Sequence, residues 1–173
     1  GRMSTGGMAG VWAEENTRES IFAAMQRKET YATTGSRMVV RFFGGWDFAA
    51  GDAVNRLPAT VGYAKGVPMG GNLSAQPEGK DAPTFLVAAM KDPIGGNLDR
   101  LQIIKGWLDG DGDLHEQVYD VVWSGDRERD PQTGKVPSVG NTVDVQNATW
   151  TNSIGTTEMI SVWKDPDFDP DER

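Results

Sequence analysis

Polar and apolar positions alternate in two different rhythms along this chain, and the change falls near Gly35. Before it, Asn16 or Thr17 stands where a helix N-cap belongs, with Glu19 three residues after Asn16 completing a capping-box pattern. Ile21, Phe22 and Met25 then recur at helical spacing, Ala23 and Ala24 favour the helix, and Arg27 and Lys28 suit its C-terminal end. The pattern predicts one α-helix ending near Glu29, preceded by a short strand over residues 10–13.

After Gly35 the period shortens to two. Met38, Val40 and Phe42 share one face of an extended segment, and Arg37, Val39, Arg41 and Phe43 share the other. Further strands are expected at residues 60–65, 84–90, 101–108, 114–123, 142–145, 148–152 and 159–163, separated by Gly, Pro, Asn and Asp. The expected fold class is mainly β: a β-sandwich of about seven or eight short strands preceded by one α-helix. Residues 1–9 read as a tag remnant and disordered start, with Gly1 and Arg2 ahead of Met3 as a cloning remnant. Residues 10–36 form the strand and helix segment, 37–164 the sandwich, and 165–173, containing DPDFDPDER, an extended acidic tail.

With 173 residues, one main domain has room for a proper core. The net charge of −8 and the lack of clustered Lys and Arg argue against nucleic acid and against anionic membranes as partners. No run of 18 apolar residues spans a bilayer. Without cysteine there are no disulfides, thiolate nucleophiles or zinc-thiolate sites, and the compartment, cytoplasmic or exported, stays undecided.

Few residues carry recognisable chemistry. Asp109, Asp111 and Asp113, with Glu116 beyond, have the oxygen-rich look of a calcium loop. Leu114 stands where an EF-hand turn needs Gly, so an acidic hairpin turn is the simpler reading and calcium the alternative. His115 is the only histidine, so this chain by itself cannot build a several-imidazole metal centre, and no GxSxG elbow accompanies it. GGNL occurs at Gly70 and again at Gly95, either as an anion-holding pair of backbone loops or as positive-φ turns. Six tryptophans suit core packing or, where exposed beside Asn, Asp and Gln, stacking against sugars. That leaves a carbohydrate partner open, alongside a structural or oligomerisation role.

Longer blocks carry more. GVWAEENTRESIFAAMQRKETYATTGSRMVVRFFGGWDF, GVPMGGNL, APTFLVAAMKDP, NLDRLQIIKGW, HEQVYDVVWSGDR, VGNTVDVQNATWTN and WKDPDFDP occur in that order. Together they resemble the C-terminal portion of the bacterial family called domain of unknown function 3604. The resemblance implies a relative of the PHP-type metal-dependent hydrolases, whose barrel holds divalent metals with His and Asp residues. Histidine motifs such as SDTHN would lie upstream, so the missing N-terminal catalytic region becomes the expected partner and the divalent metal belongs to the parent. AEENTRE to TGSR would be the last strand and helix of the barrel, the rest an attached sandwich, and the chain truncated at both ends and inert alone. Glu14 and Arg37 are the residues this placement offers as contributors to the parent site.

Overall fold

A computed structural model describes residues 6–55 and 57–172. Gly1 and Arg2, read above as a cloning remnant, lie outside the described residues. Among those described, ten strands, two α-helices and a short 3₁₀ helix follow one another, so the fold is mainly β. The strands divide among four sheets of two, four, two and two strands, none closed into a barrel. The described residues fall into two compact units, the first within residues 6–89 and 160–168 and the second within residues 90–159 and 169–172.

The first unit opens with β1 (Met8–Val11), paired antiparallel with β2 (Thr30–Thr33) so that Val11 faces Thr30. Between them runs α1 (Arg18–Gln26), capped by Thr17, whose hydroxyl accepts from the Ser20 amide at 3.3 Å. The helix stops three residues before Glu29. Lys28 takes a left-handed φ of 59°, its amide donates to the Met25 carbonyl, and the Glu29 amide donates to the Ala24 carbonyl at 3.1 Å. These are the two bonds of a Schellman stop. Lysine occupies the position where glycine is usual, and Gly70 supplies the missing space: a Cβ there would lie 2.4 Å from the Lys28 carbonyl oxygen.

The larger sheet of this unit has the order β10-β5-β3-β4. Its members are β3 (Val39–Gly45), β4 (Gly66–Pro68), β5 (Thr84–Met90) and β10 (Glu158–Lys164). Phe43, Phe48 and Leu86 form its buried centre, with Ala59, Val61, Ile160 and Val162 packed around them. Where a strand over residues 60–65 was expected, the chain forms α2 (Pro58–Lys65). Proline at the first helical turn loses no needed hydrogen bond, and Gly62 lets the helix rest on the Phe43 ring, 2.4 Å from where its Cβ would be. β2 and β4, too short to show an alternating pattern, were not expected either.

Part of the segment read as an acidic tail belongs to this unit. Asp165 is buried, its amide donates to the Pro83 carbonyl at 3.1 Å, and Phe168 meets Trp46 edge to face at 5.8 Å. Asp165 and Phe168 of DPDFDPDER are therefore docked, while Pro166 and Asp167 between them are exposed.

The second unit is built on a long hairpin, β6 (Arg100–Leu108) with β7 (Leu114–Trp123), irregular between Leu101 and Gln102. Two strands alone are marginal in water; Leu98, Val136 and Met159 are the buried apolar side chains described in this unit, and polar bonds supplement them. The buried Asp120 carboxylate accepts from the Val136 amide and from Gln102 Nε2, both at 2.7 Å, and pairs with Arg100 at 3.5 Å. Arg127 donates to the Asp99 carboxylate and carbonyl. The expected strands at 142–145 and 148–152 shrink to β8 (Val143–Asp144) and β9 (Thr149–Trp150), because Ala148 and Asn152 adopt left-handed φ angles of 52° and 50°.

Candidate functional site

Of the clefts within the first unit, one gathers ionisable and aromatic side chains from elements far apart in sequence. It encloses about 540 Å³ between Trp12, Glu14, Arg27, Glu29, Arg41 and Tyr63. Trp12 follows β1, Glu29 follows the Schellman stop, Arg41 lies on β3 and Tyr63 on α2. The stop is what aims Glu29: it turns the chain so that the Trp12 amide donates to the Glu29 carbonyl at 3.0 Å while the carboxylate points inward.

The Glu29 side chain is only 4% exposed. One carboxylate oxygen accepts from the Tyr63 hydroxyl and lies 3.6 Å from the Arg41 guanidinium; the other accepts from Arg27 at 3.4 Å. Arg41 is held on three sides. Its guanidinium carbon sits 3.2 Å from the centre of the Trp12 ring, it donates to the Tyr63 hydroxyl oxygen at 3.1 Å, and it pairs with Glu29. Trp12 is in turn fixed by its indole N–H, which donates to the Val40 carbonyl at 3.0 Å. Partial burial, and then the Glu29 carboxylate against its oxygen, push the Tyr63 phenol above its ordinary value despite the opposing effect of Arg41.

An arginine stacked on an indole and tied to a buried carboxylate has few rotamers left to lose, so its remaining N–H groups are pre-aimed donors for carboxylate or phosphate oxygens. Arg27, about half exposed, adds a second guanidinium at the mouth. Glu14 and Glu29 balance the two arginines, so the cleft selects by direction of donors rather than by excess charge.

Glu14 and Arg37, named together from the sequence, part company in the structure. Glu14 lines this cleft, exposed at its edge, whereas Arg37 lines a separate pocket of about 80 Å³ with Met8, Tyr31 and Met38. Arg41, four residues on, is the arginine that enters the cleft. Nothing in the alternation of residues 37–43 distinguishes the two, because the choice depends on where Trp12 and Tyr63 stand.

The acidic turn of the second unit has a different organisation from a ligand set. Asp109 Oδ1 accepts the amides of Asp111 at 3.0 Å and Asp113 at 2.9 Å, and its Oδ2 meets His115 Nε2 at 2.7 Å. His115 also stacks on Trp107 at 5.3 Å. The His115 contact and then the Asp113 amide hold the Asp109 carboxyl below its usual value. Asp111 and Asp113 are exposed. Among the described residues no three His, Asp or Glu side chains converge as a metal site, and no helix is long and apolar enough to cross a membrane.

The two GGNL copies also diverge. Gly70 has a φ of +85° beneath Lys28, while its counterpart Gly95 takes no positive φ. Asn97 of the second copy instead donates to the carbonyls of Asn152 at 3.0 Å and Ile154 at 2.8 Å.

A family model described as "Protein of unknown function (DUF3604)" matches residues 1–173. No curated protein and no solved structure matches the chain.

Proposed function

The chain belongs to the DUF3604 family, and from that premise we propose that it supplies a substrate-facing wall to a metal-dependent hydrolase whose metal ligands lie in a region preceding it. The observation that carries this reading is the Arg41 guanidinium, laid on Trp12 and braced by Glu29 and Tyr63 in an open cleft. A guanidinium fixed in that way binds and orients an anionic group without paying the entropy of ordering itself. The described residues do not fit a metal centre, since no three potential ligands converge. Their part is therefore confined to binding: Arg41 and Arg27 on an anionic group, and Glu14 and the Tyr63 hydroxyl on neighbouring polar atoms.

The test uses the longer gene product that includes the preceding region, assayed for hydrolysis of a panel of phosphoester and amide substrates. Activity lost on chelation and restored by a divalent metal, with no turnover by this chain alone, is the expected result. Turnover by this chain in the presence of chelator, or a preceding region without histidine-rich motifs, would overturn the proposal.

A further inference from the structure

A second cleft, wholly within the second unit, has a different chemistry. It holds about 320 Å³ and is bordered by Trp150 on β9, Asn97, Asn141, Thr142, Asn152 and the apolar side chain of Ile154. Trp150 is 62% exposed, the most open of the six tryptophans. None of the side chains around this cleft is charged, although 24% of the chain is.

The walls are fixed before any ligand arrives. Asn152 Oδ1 accepts from the Asn97 amide at 2.9 Å, and the Asn152 amide donates to the Thr142 hydroxyl at 3.2 Å. The Asn141 carboxamide oxygen accepts from the Val143 amide at 2.9 Å. Ala148 and Asn152 flank the strand of Trp150 in left-handed conformations. For alanine that conformation costs on the order of 1 kcal/mol, which other interactions of the hairpin must offset. Among the described hydrogen bonds, Asn97 Oδ1, Asn141 Nδ2 and the Thr142 hydroxyl proton are not engaged. One acceptor and two donors thus stand beside an exposed indole.

We infer that this cleft is a binding site for a neutral sugar residue of a glycan, with Trp150 as the stacking platform and Asn97, Asn141 and Thr142 as hydroxyl partners. A pyranose offers what the lining asks for: an apolar C–H face for the indole and neutral hydroxyls that both donate and accept. The lack of charge excludes the phosphate and carboxylate groups that the first unit's arginines would take. The volume lies at the low end for small-molecule sites, about 300–1,000 Å³, and suits one ring with its neighbours in solvent.

The intact chain is titrated with maltotriose, cellotriose, xylotriose and chitotriose, and with trigalacturonate as the acidic counterpart, by calorimetry and by the indole N–H resonances. Saturable binding of at least one neutral trisaccharide is expected, weakened ten-fold or more by Trp150→Ala and less by Trp150→Phe. Trp107→Ala, on the neighbouring hairpin, should leave it unchanged. Silence across the neutral panel, tighter binding of trigalacturonate, or full binding by Trp150→Ala would overturn the inference. If Trp150→Ala fails to fold, Asn141→Ala and Trp150→Phe decide it in the same assay. All these variants lie outside the arginine cleft, so failure here is distinguishable from failure of the hydrolase proposal.

Discussion

Replacing Glu29 with alanine should destabilise the first unit by about 2–3 kcal/mol. Truncating one member of a fully buried ion pair costs about 3–5 kcal/mol, because the other charge is stranded. Here the strandings are unequal. Arg27, with its side chain 51% exposed, rehydrates readily, and Tyr63, half exposed, finds water for its hydroxyl. Arg41 is the exception: at 18% exposure it keeps Trp12 and the Tyr63 oxygen but loses its only charged acceptor among the described contacts. One charge-assisted interaction of about 1.5–3 kcal/mol is therefore the main loss, with a small cavity term added. Glu29→Gln keeps an oxygen acceptor for Tyr63 and gives up the charge, so about 1 kcal/mol is expected. Urea unfolding followed by tryptophan fluorescence, with amide exchange at residues 12 and 29 to isolate this unit, measures both. A cost below about 0.5 kcal/mol for Glu29→Ala, the range of an ordinary surface change, would refute the view that Glu29 braces the cleft.

Gly70→Ala should lose about 2–3 kcal/mol through its positive φ and the Lys28 carbonyl, whereas Gly96→Ala, at the second glycine of the other GGNL copy and with nothing within 4 Å, should stay within about 0.5 kcal/mol, both read from urea midpoints. Tyr63 holds its proton more tightly folded than unfolded. Its contribution is therefore complete below about pH 10 and lost as pH rises through the elevated folded value, so Tyr63→Phe should flatten the alkaline fall in melting temperature. Asp120 has the opposite sign. Burial works to raise it, but the Val136 amide, Gln102 and Arg100 outweigh burial and hold it low. That contribution is present above about pH 4 and lost as pH falls through the lowered folded value. Asp120→Asn should be less stable at neutral pH and show a shallower acid limb in the same melting series.

The elements legible from sequence were those whose signal is local. The start of α1, expected at Asn16 or Thr17 and capped by Thr17 rather than through the Asn16 capping box, and the regular apolar positions of β5, β6 and β7, needed no knowledge of the rest of the chain. α2 was hidden because Thr60 to Tyr63 alternates like a strand, while the deciding features were Pro58 at the helix start and the Phe43 ring that Gly62 accommodates. The helix end was misplaced because a lysine, not a glycine, takes the left-handed turn, under cover of Gly70 some forty positions on. Glu14, offered by the family resemblance, lines the cleft, but Trp12, Glu29, Arg41 and Tyr63 converge only through tertiary packing. No spacing rule joins residues 12, 29, 41 and 63. The distinction between Arg37 and Arg41 is likewise made by their neighbours in space.

Steady-state kinetics of Arg41→Gln, in a gene product that includes the proposed preceding region, test the proposed role of the arginine cleft most directly, with Arg37→Gln as the comparison and bound metal measured on each preparation. Arg41→Gln should lower kcat/KM at least ten-fold, about 1.4 kcal/mol of transition-state binding, with metal content unchanged and Arg37→Gln near wild type. An Arg41→Gln enzyme that folds, holds its metal and turns over substrate as well as the wild type would contradict it.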